Sequence, residues 1–418
     1  MSDFREFDAR ADRMFEELLR RTHLSTAAEL AAILAEEARP VGVESLVVYL
    51  IDYEQRVLVP VGAPDASGRQ PLPVLGTIAG RAFASTSILQ RDAEDGRGRR
   101  VWLPLLDGTE RLGVIDTWLP EQSGPLPDRL TTVLERYAHL AALLVASKAM
   151  YSDAFEHVRR RREMTVASEL LWGMVPPLVL ATDDFVLAAL LEPCYDNGGD
   201  AFDYAINDDV LHVAVFDAMG HGLPAAGQAA FALSLYRHSR RRGRAPAACY
   251  LDIDTAIAAP SPPSRFVTAV ISELDVRSGT LRWVNAGHPP PLLLRGGRLV
   301  KTLDLAPSPP LGLRLEHAPP LQGEEVLEPG DMVLLYTDGL TESRRPGGEL
   351  FTVERLVEFI ERQAASGQAA PETLRGLREA IIEQRAGALR DDATAVLIEW
   401  RRGTQRVLLP ETVASQAG

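Results

Sequence analysis

The chain opens on helical spacing. Phe4, Phe7, Met14, Phe15, Leu18 and Leu19 fall on one stripe, so residues 1–20 are expected to form an amphipathic helix. A second helix is expected from Thr22 to Arg39, with Ser25 or Thr26 as its cap before AAELAAILAEEA. VESLVVYLID and RVLVPVG read as strands, and TIAGRAFASTSIL as a short helix or turn opening at Gly76-Thr77. VWLPLL and RLGVIDTWLP read as a hairpin around Asp107-Gly108, and a long helix follows from Leu130.

In that helix Leu130, Val133, Tyr137, Leu140, Leu144, Ser147, Tyr151, Ala154 and Val158 alternate spacings of three and four, the requirement for a coiled-coil seam. Its first half can pack on its own domain. Beyond Lys148 pairing with a second copy explains the pattern better, and a parallel homodimer is expected. Arg159 to Arg162 interrupt the seam, and a fresh apolar face begins at Ala167, Leu170, Leu171 and Met174 before Pro176-Pro177.

Further on, apolar strands end in acids. EPCYDNGGDAFDYAINDDVLHVAVFDAMGHGL carries Asp200 and Asp203, then Asp217 before Gly220 and Gly222, where glycine lets the backbone turn tightly near a ligand. DMVLLYTDGLTES ends a strand at Asp338-Gly339, and LRDDATAVLIEW begins one at Asp391-Asp392. Neighbouring strands lie about 4.8 Å apart, so Asp217, Asp338 and Asp391 can converge on two divalent ions roughly 3.5–4 Å apart. No cysteine or His-x-x-x-His metal-ligand pattern accompanies them, which favours Mn²⁺ or Mg²⁺ over Zn²⁺. Helices are expected at Ala225 to His238, Val353 to Gln363 and Pro371 to Gln384, a β-meander over SGTLRWVNAGHPPPLLLRGGRLV, and a frayed end after residue 401.

A length of 418 residues allows two or three domains, and 46% hydrophobic with 24% charged residues is ordinary for a soluble globular protein. A net charge of −14 argues against a nucleic-acid partner. Cys194 and Cys249 show no pairing signature, which fits a reducing cytosol. The N-terminus is charged from residue 3 without a signal-peptide apolar run, and no stretch of about 20 apolar residues could span a membrane. The expectation is a cytoplasmic protein with no membrane contact.

GGDAFDY, FDAMGHG, RFVTAVISELD, NAGHPP, YTDGLTES and RDDATAV stand in the order found in the SpoIIE and RsbU type of bacterial Ser/Thr phosphatase, relatives of the PP2C (PPM) enzymes, and the chain resembles that family over about half its length. The resemblance implies an α/β/β/α sandwich over residues 178–401, with a tail at 402–418. It also implies that Asp217 bridges two metals with the Ala218 carbonyl as a further ligand. Asp338 and Asp391 would complete one metal site, and Asp200 would stand behind them or at a weaker third site. The implied reaction is hydrolysis of phosphoserine or phosphothreonine, with a STAS-domain anti-sigma-factor antagonist as the precedent for substrate. Asp203 and Asp392 either hold water ligands or cap turns; His221 and His288 are either general acids or turn stabilisers. No arginine matches the phosphate clamp of the eukaryotic relatives, and Thr352 replaces a usual glycine. The other readings are a pseudophosphatase that acts by binding, and another two-metal phosphoesterase.

Residues 22–147, ending in LPLLDGTERLGVIDTWLP, resemble a GAF sensor domain, preceded by the helix of residues 1–21 and joined through a helical linker at 148–177. The fold class expected is therefore α/β multidomain. Without cysteine, the sensor cannot attach a tetrapyrrole by thioether or hold a cysteine-ligated cluster. His23 and His139 are candidate haem ligands but fit packed or solvated roles better, and RGRR at Arg97 to Arg100 either meets an anion or is a solvated loop. A small-molecule or protein signal, or a coupling role alone, stays open.

Overall fold

The computed structural model describes residues 2–62, 69–93, 97–120, 124–196, 198–259, 265–313, 319–341, 351–384 and 392–400. The chain divides into two compact units, Met1–Arg162 and Glu163–Gln405.

In the first unit α1 (Ser2–Thr22) and α2 (Ala27–Glu37) precede β1 (Ser45–Ile51), β2 (Val57–Pro60) and β3 (Leu72–Pro73). Then come α3 (Ile78–Ser85), β4 (Leu89–Asp92), β5 (Arg99–Asp107), β6 (Glu110–Leu119), α4 (Asp128–Ala149) and α5 (Ala154–Arg159). The strands form one antiparallel six-stranded sheet in the order β3-β2-β1-β6-β5-β4. Alternation divides its two faces. Val48, Leu50, Leu103 and Leu105 turn to α1, α2, α4 and α5, whereas Tyr49, Ile51, Trp102 and Val114 turn to Ala79, Ala82 and Phe83 of α3. The N-terminal helix, set apart in the sequence reading as residues 1–21, is built into this core through Ala11, Met14 and Leu18.

The continuous seam from Leu130 to Val158 is not what the chain forms. Helix α4 stops at Ala149 and α5 restarts at Ala154. Leu130 and Tyr137 are buried in the unit's own core, Leu140 and Leu144 pack against it, and Phe155 of α5 is 2% exposed. The Tyr137 hydroxyl donates to the Leu34 carbonyl at 2.6 Å, and Arg159 donates to the Ile51 carbonyl at 3.2 Å, so both helices are tied down. The expected linker at 148–177 is thereby shared out, α5 to the first unit and α6 (Val166–Trp172) to the second.

The second unit is two antiparallel sheets face to face. One runs β15-β12-β11-β10-β9, from β9 (Asp200–Asn207), β10 (Val210–Ala218), β11 (Val267–Asp275), β12 (Thr280–Ala286) and β15 (Gly323–Val326). The other runs β14-β13-β16-β17-β8-β7, from β7 (Val179–Ala181), β8 (Phe185–Glu192), β13 (Leu292–Arg295), β14 (Arg298–Thr302), β16 (Met332–Tyr336) and β17 (Ala393–Trp400). Phe202, Val213, Val215 and Val270 of the first sheet meet Leu187, Val333, Leu335, Val396 and Ile398 of the second. Outside the first sheet, α6, α7 (Leu223–Arg241) and α8 (Pro246–Ala258) cover Ala201, Ala214, Phe216 and Ile271. Outside the second, α10 (Ala370–Gln384) lies on β8 and β17, with α9 (Val353–Ala365) beside it and Thr352 as the N-cap of α9. This is the expected α/β/β/α sandwich. Residues 402–418, expected to fray, lie outside the described residues.

Candidate active site

Strand parity brings the acids to one rim. Val213 and Val215 of β10 enter the inter-sheet core, and Asp217 continues that inward row at the strand's end. Register sets Asp217 opposite Asp200 of β9 on one side and Thr268 of β11 on the other, so the three side chains share one face. From the facing sheet, Val333 and Leu335 lead by the same parity to Thr337, and Ile398 and Val396 lead back to Thr394 and Asp392. The Thr337 hydroxyl donates to Asp200 Oδ2 at 2.7 Å and accepts from the Thr394 N–H at 2.9 Å, bridging the two sheets.

Glycines make the approach tight enough. The N–H groups of Gly198 and Gly199 donate to Asp392 Oδ2 at 2.9 and 2.5 Å. A Cβ on Gly198 would stand 2.2 Å from the Gly222 nitrogen, and one on Gly339 would stand 1.6 Å from the Asp392 carbonyl oxygen. Only glycine fits either place. Asp338 therefore opens a single 3₁₀ turn, Asp338–Leu340, pressed against the Asp392 backbone. Ala218 N–H donates to the Gly199 carbonyl at 3.1 Å, extending the β9–β10 ladder by one step and holding the Ala218 carbonyl at the end of the strand.

Asp200 is 2% exposed. Burial, then the Asp217 and Asp392 carboxylates, hold it well above the ordinary carboxylate range, against which the Thr337 and Thr394 hydroxyls pull only partly. Three carboxylates have been gathered at one rim, and a hard cation with oxygen ligands is their natural complement. The donor set fits Mn²⁺ or Mg²⁺: carboxylates, a backbone carbonyl and hydroxyls, with neither buried cysteine in it. Among the described residues no group of three or more acidic, histidine or cysteine side chains is close enough to hold a metal alone. Asp391, expected as a ligand, lies outside the described residues.

The residues left open divide cleanly. Asp203 faces away from the rim: one oxygen accepts from Arg237 at 2.7 Å and the other from Arg240 at 2.7 Å, and it is 1% exposed. Arg237 also donates to the Met174 carbonyl, which ties the segment after α6 to β9 through α7. Asp392 caps the Gly198-Gly199 turn and also faces Asp200. His288 is buried with its Nδ1 2.8 Å from the Thr268 hydroxyl, and Asn285 locks its backbone from both sides. Burial lowers its pKa to about 4, only partly opposed by the Tyr336 carbonyl, so it is neutral at physiological pH. His221 is exposed, between the positive-φ residues Gly220 and Gly222. Thr268, Thr337 and Thr394 were missed by sequence reasoning. Their signal was a threonine at an inward position in otherwise apolar strands.

Residues 207–401 match the family model described as Stage II sporulation protein E (SpoIIE). The chain is 22% identical to protein IcfG of Synechocystis over 267 residues, covering 57% of this chain and 41% of that protein, so it spans less than half of that relative. It is 21% identical to the phosphoserine phosphatase RsbU of Bacillus subtilis over 243 residues, covering 57% of this chain and 70% of that one. Among solved structures it is similar to the RsbU and RsbW domains of Rv1364c from Mycobacterium tuberculosis, at 28% identity and a TM-score of 0.45, covering 55% of this chain and 63% of that one. With the acid rim at the ends of the paired sheets, the second unit is a domain of the SpoIIE/RsbU type of PPM phosphatase.

Proposed function

We propose that the chain is a metal-dependent protein serine/threonine phosphatase, gated by its N-terminal unit. The convergence of Asp200, Asp217 and Asp392 at one rim, the last two within the SpoIIE match and Asp200 just before it, carries this. Asp217, the Ala218 carbonyl, Asp338 and Asp391 would hold two divalent cations, Mn²⁺ or Mg²⁺, with Asp200 behind them. When bound, such ions neutralise phosphoryl oxygens and lower the pKa of water. The chain's own contribution is placement. The β9–β10 ladder fixes Asp217 beside Asp200, Thr337 holds the Asp200 carboxylate from the opposite sheet, and the Gly198-Gly199 turn fixes Asp392. In the reaction a water oxygen bonds to phosphorus as the bond to the serine or threonine oxygen breaks. A proton passes to that oxygen, releasing the hydroxyl side chain and inorganic phosphate.

The name of the relative RsbU supports a phosphoserine substrate, and the family resemblance extends it to a STAS-domain anti-sigma-factor antagonist. The six-stranded antiparallel sheet with helices on both faces supports a GAF-like sensor in the first unit. No helix among the described residues is long and apolar enough to cross a membrane, in keeping with cytoplasmic work. A homodimer is part of the proposal. Leu143, Met150 and Tyr151, exposed by 44%, 78% and 82% at the end of α4, support it.

Release of phosphate from a phosphoserine protein by the full chain is expected with Mn²⁺ or Mg²⁺ and is expected to stop with a chelator. Undiminished turnover after exhaustive metal removal would overturn the two-cation site, and binding of the phosphoprotein without turnover at saturating Mn²⁺ would leave a binding protein instead.

A further inference from the structure

Two threonines reach the acid rim from facing sheets, and they spend their hydroxyl protons differently. Thr337 donates to the Asp200 carboxylate. Thr268 stands directly opposite Asp217 in the β10–β11 ladder, and opposed residues on one face have Cβ atoms about 4.5–5.5 Å apart. Its hydroxyl lies 2.8 Å from His288 Nδ1.

The direction of that bond follows from the rest of the ring. His288 is buried and neutral, so one of its two nitrogens carries a proton and the other accepts one. The backbone group that acts on the ring is the Tyr336 carbonyl, at the end of β16, and a carbonyl oxygen favours an N–H. Nδ1 is turned to Thr268, and Nε2, buried and without a close hydrogen bond of its own, is the nitrogen left for that carbonyl. The proton is therefore assigned to Nε2, and the single hydroxyl proton of Thr268 goes to Nδ1. Toward Asp217 the Thr268 oxygen then has lone pairs alone to offer. The ring is not what holds its own loop. Asn285 Nδ2 donates to the His288 carbonyl and Asn285 Oδ1 accepts from the His288 N–H, both at 2.7 Å.

We infer that His288 is a positioning residue for the proposed reaction: by taking the Thr268 proton it makes Thr268 a fixed acceptor, which orients a cation-held water beside Asp217. A hard cation takes oxygen ligands and keeps some of its water. The hydrogens of such a water point away from the ion, and a fixed acceptor within reach decides where one of them goes. Neither residue makes or breaks a bond. With the proton on Nδ1 instead, the Thr268 hydroxyl would donate toward Asp217 and compete with a cation for its lone pairs. This deepens the two-cation reading above and rests on it.

Mn²⁺ alone, titrated by calorimetry into the metal-free full chain, is the first probe. Thr268→Val keeps the shape and removes the hydroxyl, and it is expected to weaken Mn²⁺ binding about tenfold, the usual effect of losing a group that orients a metal's ligands from behind. Thr268→Ser should recover most of that loss. His288→Leu is expected to lose as much as Thr268→Val, and the double variant no more than either alone, because the two residues act through one hydrogen bond. Long-range proton–nitrogen NMR of the metal-free wild type, with the ring signals assigned by their loss in His288→Asn, should show a protonated Nε2 and a bare Nδ1. Wild-type Mn²⁺ affinity in Thr268→Val, no recovery in Thr268→Ser, additive losses in the double variant or a proton on Nδ1 would each overturn the inference. If His288→Leu does not fold, the two Thr268 variants and the NMR spectrum decide it. A wild type that binds no Mn²⁺ would overturn the cation site and this inference with it. Mn²⁺ binding that depends on Thr268 in a chain that releases no phosphate would overturn the phosphatase reading and leave the water-orienting role standing.

Discussion

Asp200, Asp203 and Asp217 look alike in the sequence and do different work, and strand parity is what separates them. Asp200 and Asp217 point between the sheets, where burial and mutual repulsion leave charge to be neutralised by a cation. Asp203 points to α7, where two arginines already neutralise it. Opposite outcomes follow from the same substitution. Asp217→Asn removes a charge without volume, so it is expected to cost far more than tenfold in phosphate release, each tenfold being about 1.4 kcal/mol of barrier, while thermal stability without metal stays level or rises. Asp338→Asn and Asp391→Asn should behave the same way. Asp203→Asn leaves Arg240 buried beside a half-lost partner, and breaking such a pair typically costs about 3–5 kcal/mol. It should lower the unfolding midpoint while the folded fraction keeps its turnover. Denaturant unfolding and single-turnover assays on both variants decide it; activity within tenfold for Asp217→Asn would remove the bridging role. The acids themselves were legible because each ends an apolar strand. Their threonine partners were not, since Thr337 meets Asp200 across 137 residues of chain and only the facing of two sheets brings them together.

At the scale of elements, most helices and strands stand where the pattern put them, because local propensity and burial agree: α7, α9 and α10 keep their expected ranges to within a few residues. Helix α8 was missed although Pro246 opens it, since its apolar positions are interrupted by Asp252 and Asp254. The heptad misled for a different reason. Spacings of three and four describe a stripe on a helix but not what covers it, and the stripe of α4 is covered by α1, α2 and the sheet of its own unit. Two substitutions therefore separate the roles. Leu144→Asp puts a carboxylate against the core and is expected to destabilise the first unit by a few kcal/mol. Tyr151→Asp, on an exposed ring beyond the end of α4, should leave unfolding unchanged and turn the proposed homodimer into a monomer by light scattering. A wild type already monomeric at micromolar concentration would end the homodimer reading.

Across the whole molecule the two units have cores of their own, and the acid rim proposed for cations belongs to the second. The rim could be read from motifs, whereas the pairing within the first sheet could not. Counting outward from the Asp107-Gly108 turn sets Arg100 opposite Thr117, but a bulge between Leu105 and Leu106 shifts the register so that Arg100 meets Trp118, and only then do Arg91, Arg100 and Trp118 share a face. Gly113 stands at that bulge because a Cβ there would lie 1.9 Å from the Tyr49 carbonyl oxygen. Separate cores make a thermodynamic prediction for the intact chain. Calorimetry should show two unfolding transitions. Mn²⁺ at about a hundredfold over its dissociation constant stabilises the unit that binds it by about 2.7 kcal/mol, which for a unit of this size is a rise of several degrees in one transition alone. Asp217→Asn should abolish that rise and leave the other transition where it stands in wild type. If Mn²⁺ moves both transitions together, or Asp217→Asn keeps the full shift, then the cation is not held where the acid rim would hold it.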